Sequence, residues 1–265
     1  MSTASVPRIL IVGGGYAGFY TAWKLEKLLR RGEAEVTIVD PLSYMTYQPF
    51  LPEVAAGSIE ARHSVVALRR HLHHTNVLTA KVTGINHASK TATITPPVGE
   101  PWEFEYDQIV VTAGAVSRTF PIPGVADNAI GLKTIEEAVA IRDRLITNFD
   151  RASLLPAGPE RDRLLSVTVV GGGFAGIEIF AELRSFASAL LKSYPNLSFE
   201  DTRFTLVEAM GRIMPEVSLK TSEWVLKNLA KRGAFVHLDT QLTSAVDGVI
   251  ELSTGESFAS DLIIW

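Results

Sequence analysis

Two copies of an α/β unit, each a three-layer arrangement of a parallel sheet, helices and a small antiparallel meander, are what this sequence predicts. Three repeated features carry that expectation. They are a strand–glycine turn–helix segment, a strand ending in an acid, and an Asp-led apolar strand late in each half. Self-similarity comes first because it fixes the architecture before any single element is assigned.

The first repeat pairs Arg8–Gly18 with Ser166–Gly176. In each, an apolar run (Ile9–Val12, Val167–Val170) suits a strand buried on both faces of a parallel sheet. A helical pattern follows each turn: Trp23, Leu25, Leu28 and Leu29 in the first copy, Ile177, Ile179, Phe180 and Leu183 in the second. Cations near the end of the first helix and Gly32 after it suit a helix stop. The next strands, Glu35–Asp40 and Arg203–Glu208, each end in an acid. That acid lies 27 residues after the first glycine in one copy (13 to 40) and 37 in the other (171 to 208). The excess falls in Phe186–Glu200, read as an extended helix and then a loop at Pro195-Asn196.

Val77–Val82 and Thr91–Thr95 read as half-buried strands around a turn at His87–Lys90. Ala234–Leu238 and Val249–Leu252 play these parts in the second copy, with Asp247-Gly248 as a turn signal. The third repeat pairs Tyr106–Gly114 with Ser260–Trp265. Matching Asp107 to Asp261 ends the chain one residue before its second Thr-Ala-Gly-like turn, so it reads as an N-terminal piece with the end of the first domain missing. Pro121–Gly124 reads as a linker, and Thr134–Glu137 as a capping box opening a helix to about Arg151. Leu154–Arg163 reads as a loop. The expected domains are 1–124 and 125–265.

Composition excludes several function classes. A net charge of -4 gives no general attraction to nucleic acid or anionic lipid. No cysteine occurs among the 265 residues, which removes disulfides, thiolate metal sites and Cys-x-x-Cys redox pairs from this stretch. No apolar run approaches the roughly 18 residues of a membrane span, and the N-terminus lacks the basic region of a signal peptide. A soluble, cytoplasmic protein is the default expectation. The Arg69–His74 cluster suits a solvated helix end better than a metal site, because His71 and His74 lack an evident third ligand. No metal is expected.

Gly13-Gly14-Gly15-Tyr16-Ala17-Gly18 fits G-x-G-x-x-G, as does the run from Gly171 through Gly173 to Gly176. The first glycine makes the tight turn, the second admits a pyrophosphate to the backbone, and the third lets helix and strand pack closely. The helix N-terminus then offers N–H groups to the phosphates. One match alone is weak evidence. Here both sit between the right strand and helix, with Asp40 and Glu208 placed to accept hydrogen bonds from a ribose diol. Two Rossmann-like sites imply two dinucleotides, an arrangement for passing electrons between cofactors. An acid at Glu208 favours NADH over NADPH, with Arg212 near enough to weaken that preference. From position alone, Glu178 reads as a first-turn helix acid stabilised by the dipole.

The residues resemble the type II NADH dehydrogenases, the non-proton-pumping NADH:quinone oxidoreductases of the two-dinucleotide flavoproteins. The resemblance covers essentially the whole chain. Its more specific parts are Tyr47-Gln-Pro-Phe-Leu-Pro-Glu-Val-Ala-Ala-Gly57 and Gly176-Ile-Glu-Ile-Phe-Ala-Glu-Leu183. It implies the FAD/NAD(P)-binding domain fold, with the NADH domain inserted in the FAD domain. It implies FAD along Gly13, Gly15, Gly18, Asp40, Gln48, Val82, Ala113 and Gly114, and NADH along Gly171, Gly173, Gly176 and Glu208. It places Glu178 where NADH, flavin and quinone meet, as the candidate catalytic residue. The implied reaction is hydride transfer from NADH to flavin, then two electrons to a membrane quinone of a respiratory chain. Membrane-surface contact, peripheral on the inner face, is implied through a region after Trp265, and a homodimer is compatible. The competing readings are a reductase of a ferredoxin-like protein and a nucleotide-binding fragment without catalysis.

Overall fold

The computed structural model of the chain describes residues 6–116 and 119–265. In chain order the first elements are β1 (Arg8–Val12), α1 (Tyr16–Leu28), β2 (Glu35–Asp40), β3 (Tyr44–Thr46), α2 (Leu51–Ala55) and β4 (Val65–Ala67). Next come α3 (Leu68–His71), β5 (Thr75–Thr79), β6 (Lys81–Asn86), β7 (Thr91–Thr95), β8 (Trp102–Glu105) and β9 (Gln108–Val111). The middle holds α4 (Val125–Asn128), β10 (Ala129–Ile130), α5 (Ile135–Ser153), α6 (Pro159–Leu164), β11 (Ser166–Val170) and α7 (Phe174–Leu190). The chain continues through β12 (Arg203–Val207), α8 (Leu219–Lys231), β13 (Phe235–His237), β14 (Leu242–Ser244), β15 (Val249–Leu252), β16 (Ser257–Ala259) and β17 (Leu262–Ile264).

The chain divides into two compact units, Met1–Tyr47 with Arg62–Val116, and Gln48–Ala61 with Ser117–Trp265. In the first, a parallel sheet runs β5-β2-β1-β9, beside a β6-β7-β8 antiparallel meander and a β3-β4 pair. Strand alternation produces its layers. Ile9 and Ile11 join Phe19, Ala22 and Ile38 on one face, while Leu10 and Val12 join Val39, Ala92, Ile94 and Tyr106 on the other. The second unit repeats the plan with a β10-β17-β11-β12-β13 parallel sheet and a β14-β15-β16 meander. Val167 and Val169 pack with Phe180, Leu183 and Phe204, whereas Val207 and Ile263 pack with Leu242 and Ile250. The expected α/β fold of paired parallel sheets and meanders is the one found.

Several elements differ from the sequence expectation. Val77–Val82 is not one strand: β5 belongs to the parallel sheet and β6 to the meander, with Ala80 between them. The same division separates β13 from β14, so the partner of β15 is Leu242–Ser244 and not Ala234–Leu238. A continuous apolar run does not reveal where a chain leaves one sheet for another. Half of the Leu154–Arg163 loop is helix α6, with Pro159 in its first turn, where the missing N–H is no loss. In α1 the buried face is Gly18, Phe19 and Ala22, and Leu28 is exposed. The capping box is present as expected: Thr134 Oγ1 accepts the Glu137 N–H at 3.1 Å, and Glu137 Oε2 accepts the Thr134 N–H at 2.9 Å. The Gln48–Ala61 segment, expected within 1–124, has Leu51, Val54 and Ala55 buried against Ala138, Ile141 and Ile177 in the second unit's core.

Candidate functional site

Each unit builds the same cradle from its sheet's central strand. In the first, Gly13 takes a φ of +100° straight after β1, a conformation that side chains other than glycine's rarely adopt. A Cβ on Gly18 would collide with the Gly13 carbonyl, so strand and helix meet here only without side chains. Gly15 differs, since a Cβ there would project into open space with nothing within 4 Å. That open approach to the backbone is what a pyrophosphate needs. No side chain caps α1 or α7, and neither first turn contains an acid. Both helix N-termini therefore present donors without a resident anion.

Asp40 closes the first cradle. Its Oδ2 accepts the Gly14 N–H at 2.6 Å and its Oδ1 accepts the Leu42 N–H at 2.7 Å. The opposite wall is Thr112, whose hydroxyl donates to the Val12 carbonyl at 2.9 Å and lies 3.0 Å from the Gly13 carbonyl. Ala113 and Gly114 follow it at the surface. Val82 lies half-buried in the meander opposite Ile94. Gln48 falls in the second unit, where its side-chain amide donates to the Lys133 carbonyl at 3.3 Å.

The second cradle repeats these bonds. Gly171 has φ +109°, a Cβ on Gly176 would collide with the Gly171 carbonyl, and Gly173 opens on free space. Glu208 Oε2 accepts the Gly172 N–H at 2.6 Å, and Oε1 accepts the Met210 N–H at 2.6 Å. Glu208 is buried, yet it borders a groove of about 580 Å3 whose other walls include Phe120, Gly171, Thr240, Gln241 and Trp265. The carboxylate is thus fixed by backbone donors while each oxygen keeps acceptor capacity for a diol. Arg212, expected near enough to weaken the preference for NADH, has its Nη2 on loop carbonyls, 3.2 Å from Met214 O and 3.0 Å from Pro215 O.

Sequence reasoning named the outer glycines but missed Gly14, Gly172 and Thr112. A Cβ on Gly14 would stand 2.8 Å from Leu68 Cδ1, and one on Gly172 3.0 Å from Glu208 Oε2. The signal was available, since both motifs carry three consecutive glycines where the pattern asks for two in that stretch.

Glu178 lies one residue beyond the first turn of α7, so the helix-dipole reading of it does not hold in that form. It is exposed on the helix surface. Its carboxyl is held above the ordinary glutamate range, chiefly by partial desolvation and then by the charge of Glu53 on α2. The same stripe of α7 faces residues 53–58 one and two turns on. Ser58 Oγ donates to Glu182 Oε2 at 3.4 Å, and a Cβ on Gly57 would sit 3.8 Å from Phe186 Cζ. Glu53 Oε2 is buried without a hydrogen-bond partner.

Residues 7–265 match the model of the pyridine nucleotide-disulphide oxidoreductase family. Among curated relatives, the external alternative NAD(P)H-ubiquinone oxidoreductase B2 of Arabidopsis thaliana is 34% identical over 97% of this chain and 46% of its own length. The type II NADH:quinone oxidoreductase of Haemophilus influenzae is 29% identical over 97% of this chain and 63% of its own. Among solved structures, NDH2 from Plasmodium falciparum in complex with NADH superposes with a TM-score of 0.91 at 22% identity, covering 98% of this chain and 55% of that one. The chain spans about half the length of the curated relatives it matches. The two glycine cradles, their paired acids and the match across both units lead to one assignment: the chain belongs to the pyridine nucleotide-disulphide oxidoreductase family.

Proposed function

We propose that the first unit holds FAD, the second holds NADH, and the whole protein is an FAD-dependent NADH:quinone oxidoreductase. The observation that carries this reading is the presence of two separately built dinucleotide cradles in one chain, each with an open second glycine and a strand-end acid. FAD would lie along Gly13, Gly15, Gly18, Asp40, Val82, Ala113 and Gly114, with Gln48 added by resemblance. NADH would lie along Gly171, Gly173, Gly176 and Glu208, with its adenosine half in the Phe120–Trp265 groove. The absence of cysteine from these 265 residues turns the acceptor away from a disulfide formed within them, and the relatives' names point to quinone.

Bound flavin supplies the hydride acceptor and the two-electron donor. The chain's own part is orientation and electrostatics. Gly13 and Gly171 turn the backbone under the phosphates, and Asp40 and Glu208 fix the riboses. Glu178, which faces Glu53 and stays open to solvent, holds a proton for the reduced acceptor. No helix among the described residues is long and apolar enough to cross a membrane, and the proposed quinone reductase would meet the membrane peripherally, at its inner face. A homodimer is compatible with this reading.

The test is to purify the whole protein and offer NADH with three acceptors: a water-soluble quinone, a low-molecular-weight disulfide and a ferredoxin-type protein. Stoichiometric FAD and fastest turnover with quinone are expected. Faster turnover with either other acceptor, or a protein without flavin, would reject the assignment.

A further inference from the structure

Next to Thr240, which lines the groove beside Glu208, stands a second acid that no motif announces. Two residues after the end of β13, Asp239 adopts a φ of +49°, a left-handed bend that Asp and Asn tolerate better than most residues. The bend ties two loops together. The Asp239 N–H donates to the Met210 carbonyl at 3.0 Å, and the Thr240 N–H donates to the Glu208 carbonyl at 3.0 Å. The Asp239 carboxylate consequently lies over Gly211, where a built Cβ would stand 3.1 Å from Oδ1 and 3.3 Å from Oδ2. Asp239 is exposed, so no burial mutes its charge beside this loop.

We infer that Asp239 is a specificity-determining residue that rejects a 2′-phosphate and so selects NADH over NADPH. This rests on the reading of the second unit as the NADH site. If the Glu208 carboxylate receives the ribose diol, the 2′ position lies toward the Glu208–Arg212 loop. The loop itself offers a phosphate little positive charge. Arg212, the one basic residue in that loop, has its Nη2 engaged by the carbonyls of Met214, Pro215 and Val217 and its Nε buried. The phosphate would instead meet Asp239 above Gly211. Glu208 already favours NADH, because the 2′-phosphate takes the place of a hydroxyl that the carboxylate would bind, and Asp239 is a second charge set against the same group. Asp239 gives a repulsion that only the phosphorylated nucleotide feels, which is how discrimination is built against a near-identical competitor.

The test is calorimetric titration of the chain with NADH and with NADPH, comparing wild type with Asp239→Asn at low and high salt. Asparagine keeps the size and the tolerance for the left-handed bend while removing the charge. NADPH affinity should rise about fivefold or more at low salt, the effect of one like-charge contact at about 4 Å in water. NADH affinity should stay within about twofold, the scatter of a surface substitution worth under about 0.5 kcal/mol. Added salt should narrow the NADH–NADPH gap more in wild type than in Asp239→Asn, where only the repulsion from Glu208 is left to screen. A gap unchanged by the substitution while NADH still binds overturns the role of Asp239. Binding of neither nucleotide to wild type overturns the reading of the second unit itself.

Discussion

Glu208 Oε2 accepts the Gly172 N–H at 2.6 Å, and 2.6 Å is also the distance at which Asp40 Oδ2 accepts the Gly14 N–H. The repeat visible in the sequence is therefore a repeat of hydrogen bonds, and each acid fastens its own glycine turn before any nucleotide arrives. Replacing Glu208 with Gln leaves one oxygen to serve two backbone donors, with an NH2 group facing the other. Such a mismatch costs about 1–3 kcal/mol. Glu208→Gln should accordingly lower both the melting temperature and NADH affinity, read by calorimetry of unfolding and of binding. Unchanged NADH affinity would remove the ribose role, whatever happened to stability.

The third glycine is constrained by geometry alone. A methyl group on Gly176 would collide with the Gly171 carbonyl, a main-chain atom that cannot rotate away. Gly176→Ala should destabilise the second unit by about 1–3 kcal/mol, the usual range for overpacking. It should also abolish NADH binding, because relief of the clash moves the turn proposed to meet the pyrophosphate. Gly173→Ala is the control. Its Cβ has open space, so the fold should be unperturbed while nucleotide affinity falls. Equal stability of Gly176→Ala and wild type would contradict the packing described.

Asp261 anchors the other end of that sheet. Its side chain is only 7% exposed and meets Arg144 Nη1 and Arg163 Nη1, each at 3.2 Å. Removing one partner of a nearly buried ion pair leaves the rest uncompensated, which costs more than an exposed pair ever contributes. Asp261→Ala should lower unfolding stability by about 2–4 kcal/mol, judged from fully buried pairs and discounted for the half-exposed arginines. Asp107, the corresponding residue of the first unit, is a built-in comparison. Its bridge to Arg8 spans 3.7 Å between side chains 50% and 40% exposed, so loss of that ion pair in Asp107→Ala should cost less than the loss in Asp261→Ala. Denaturant melts of both variants check the order.

Much of this was legible because the repeat doubles every signal. Asp107 and Asp261 were matched by sequence, and β9 and β17 indeed take the same place beside β1 and β11. What escaped was information that sequence carries only in three dimensions. The split of Val77–Val82 between two sheets depends on where the chain bends at Ala80, which apolarity does not encode. Leu51, Val54 and Ala55 lie in the core of the second unit although they follow β3 of the first, because burial partners are chosen by space and not by order along the chain. The outer glycines were found by pattern. Thr112 was passed over as a site residue because a hydroxyl donating to the carbonyls of Val12 and Gly13 leaves no periodic trace.

Glu53 and Glu178 offer a test in which pH separates a working carboxyl from a decorative one. Desolvation first and the Glu53 charge second raise the Glu178 carboxyl above its ordinary range. Elsewhere on this face, Glu182 is engaged by Ser58, and Arg142 of α5 is paired with Asp143 at 2.9 Å. A carboxyl whose folded value is raised favours the folded state most below its unfolded value, and that contribution is lost as pH rises through the folded one. Wild-type stability should therefore fall slightly as pH climbs through the Glu178 range, and Glu178→Gln should flatten that limb. Glu53→Gln removes the second cause only, so the Glu178 midpoint, read by carbon-13 carboxyl NMR, should move down towards the usual glutamate range. In stopped-flow work on the whole protein, Glu178→Gln should leave FAD content intact and slow acceptor reduction on the order of 10²-fold, the lower end for loss of a positioned proton donor. Glu53→Gln should instead shift the pH profile of that step downwards. A Glu178 midpoint that ignores Glu53→Gln would mean the two carboxyls do not sense each other, and would leave Glu178 with desolvation as its only influence.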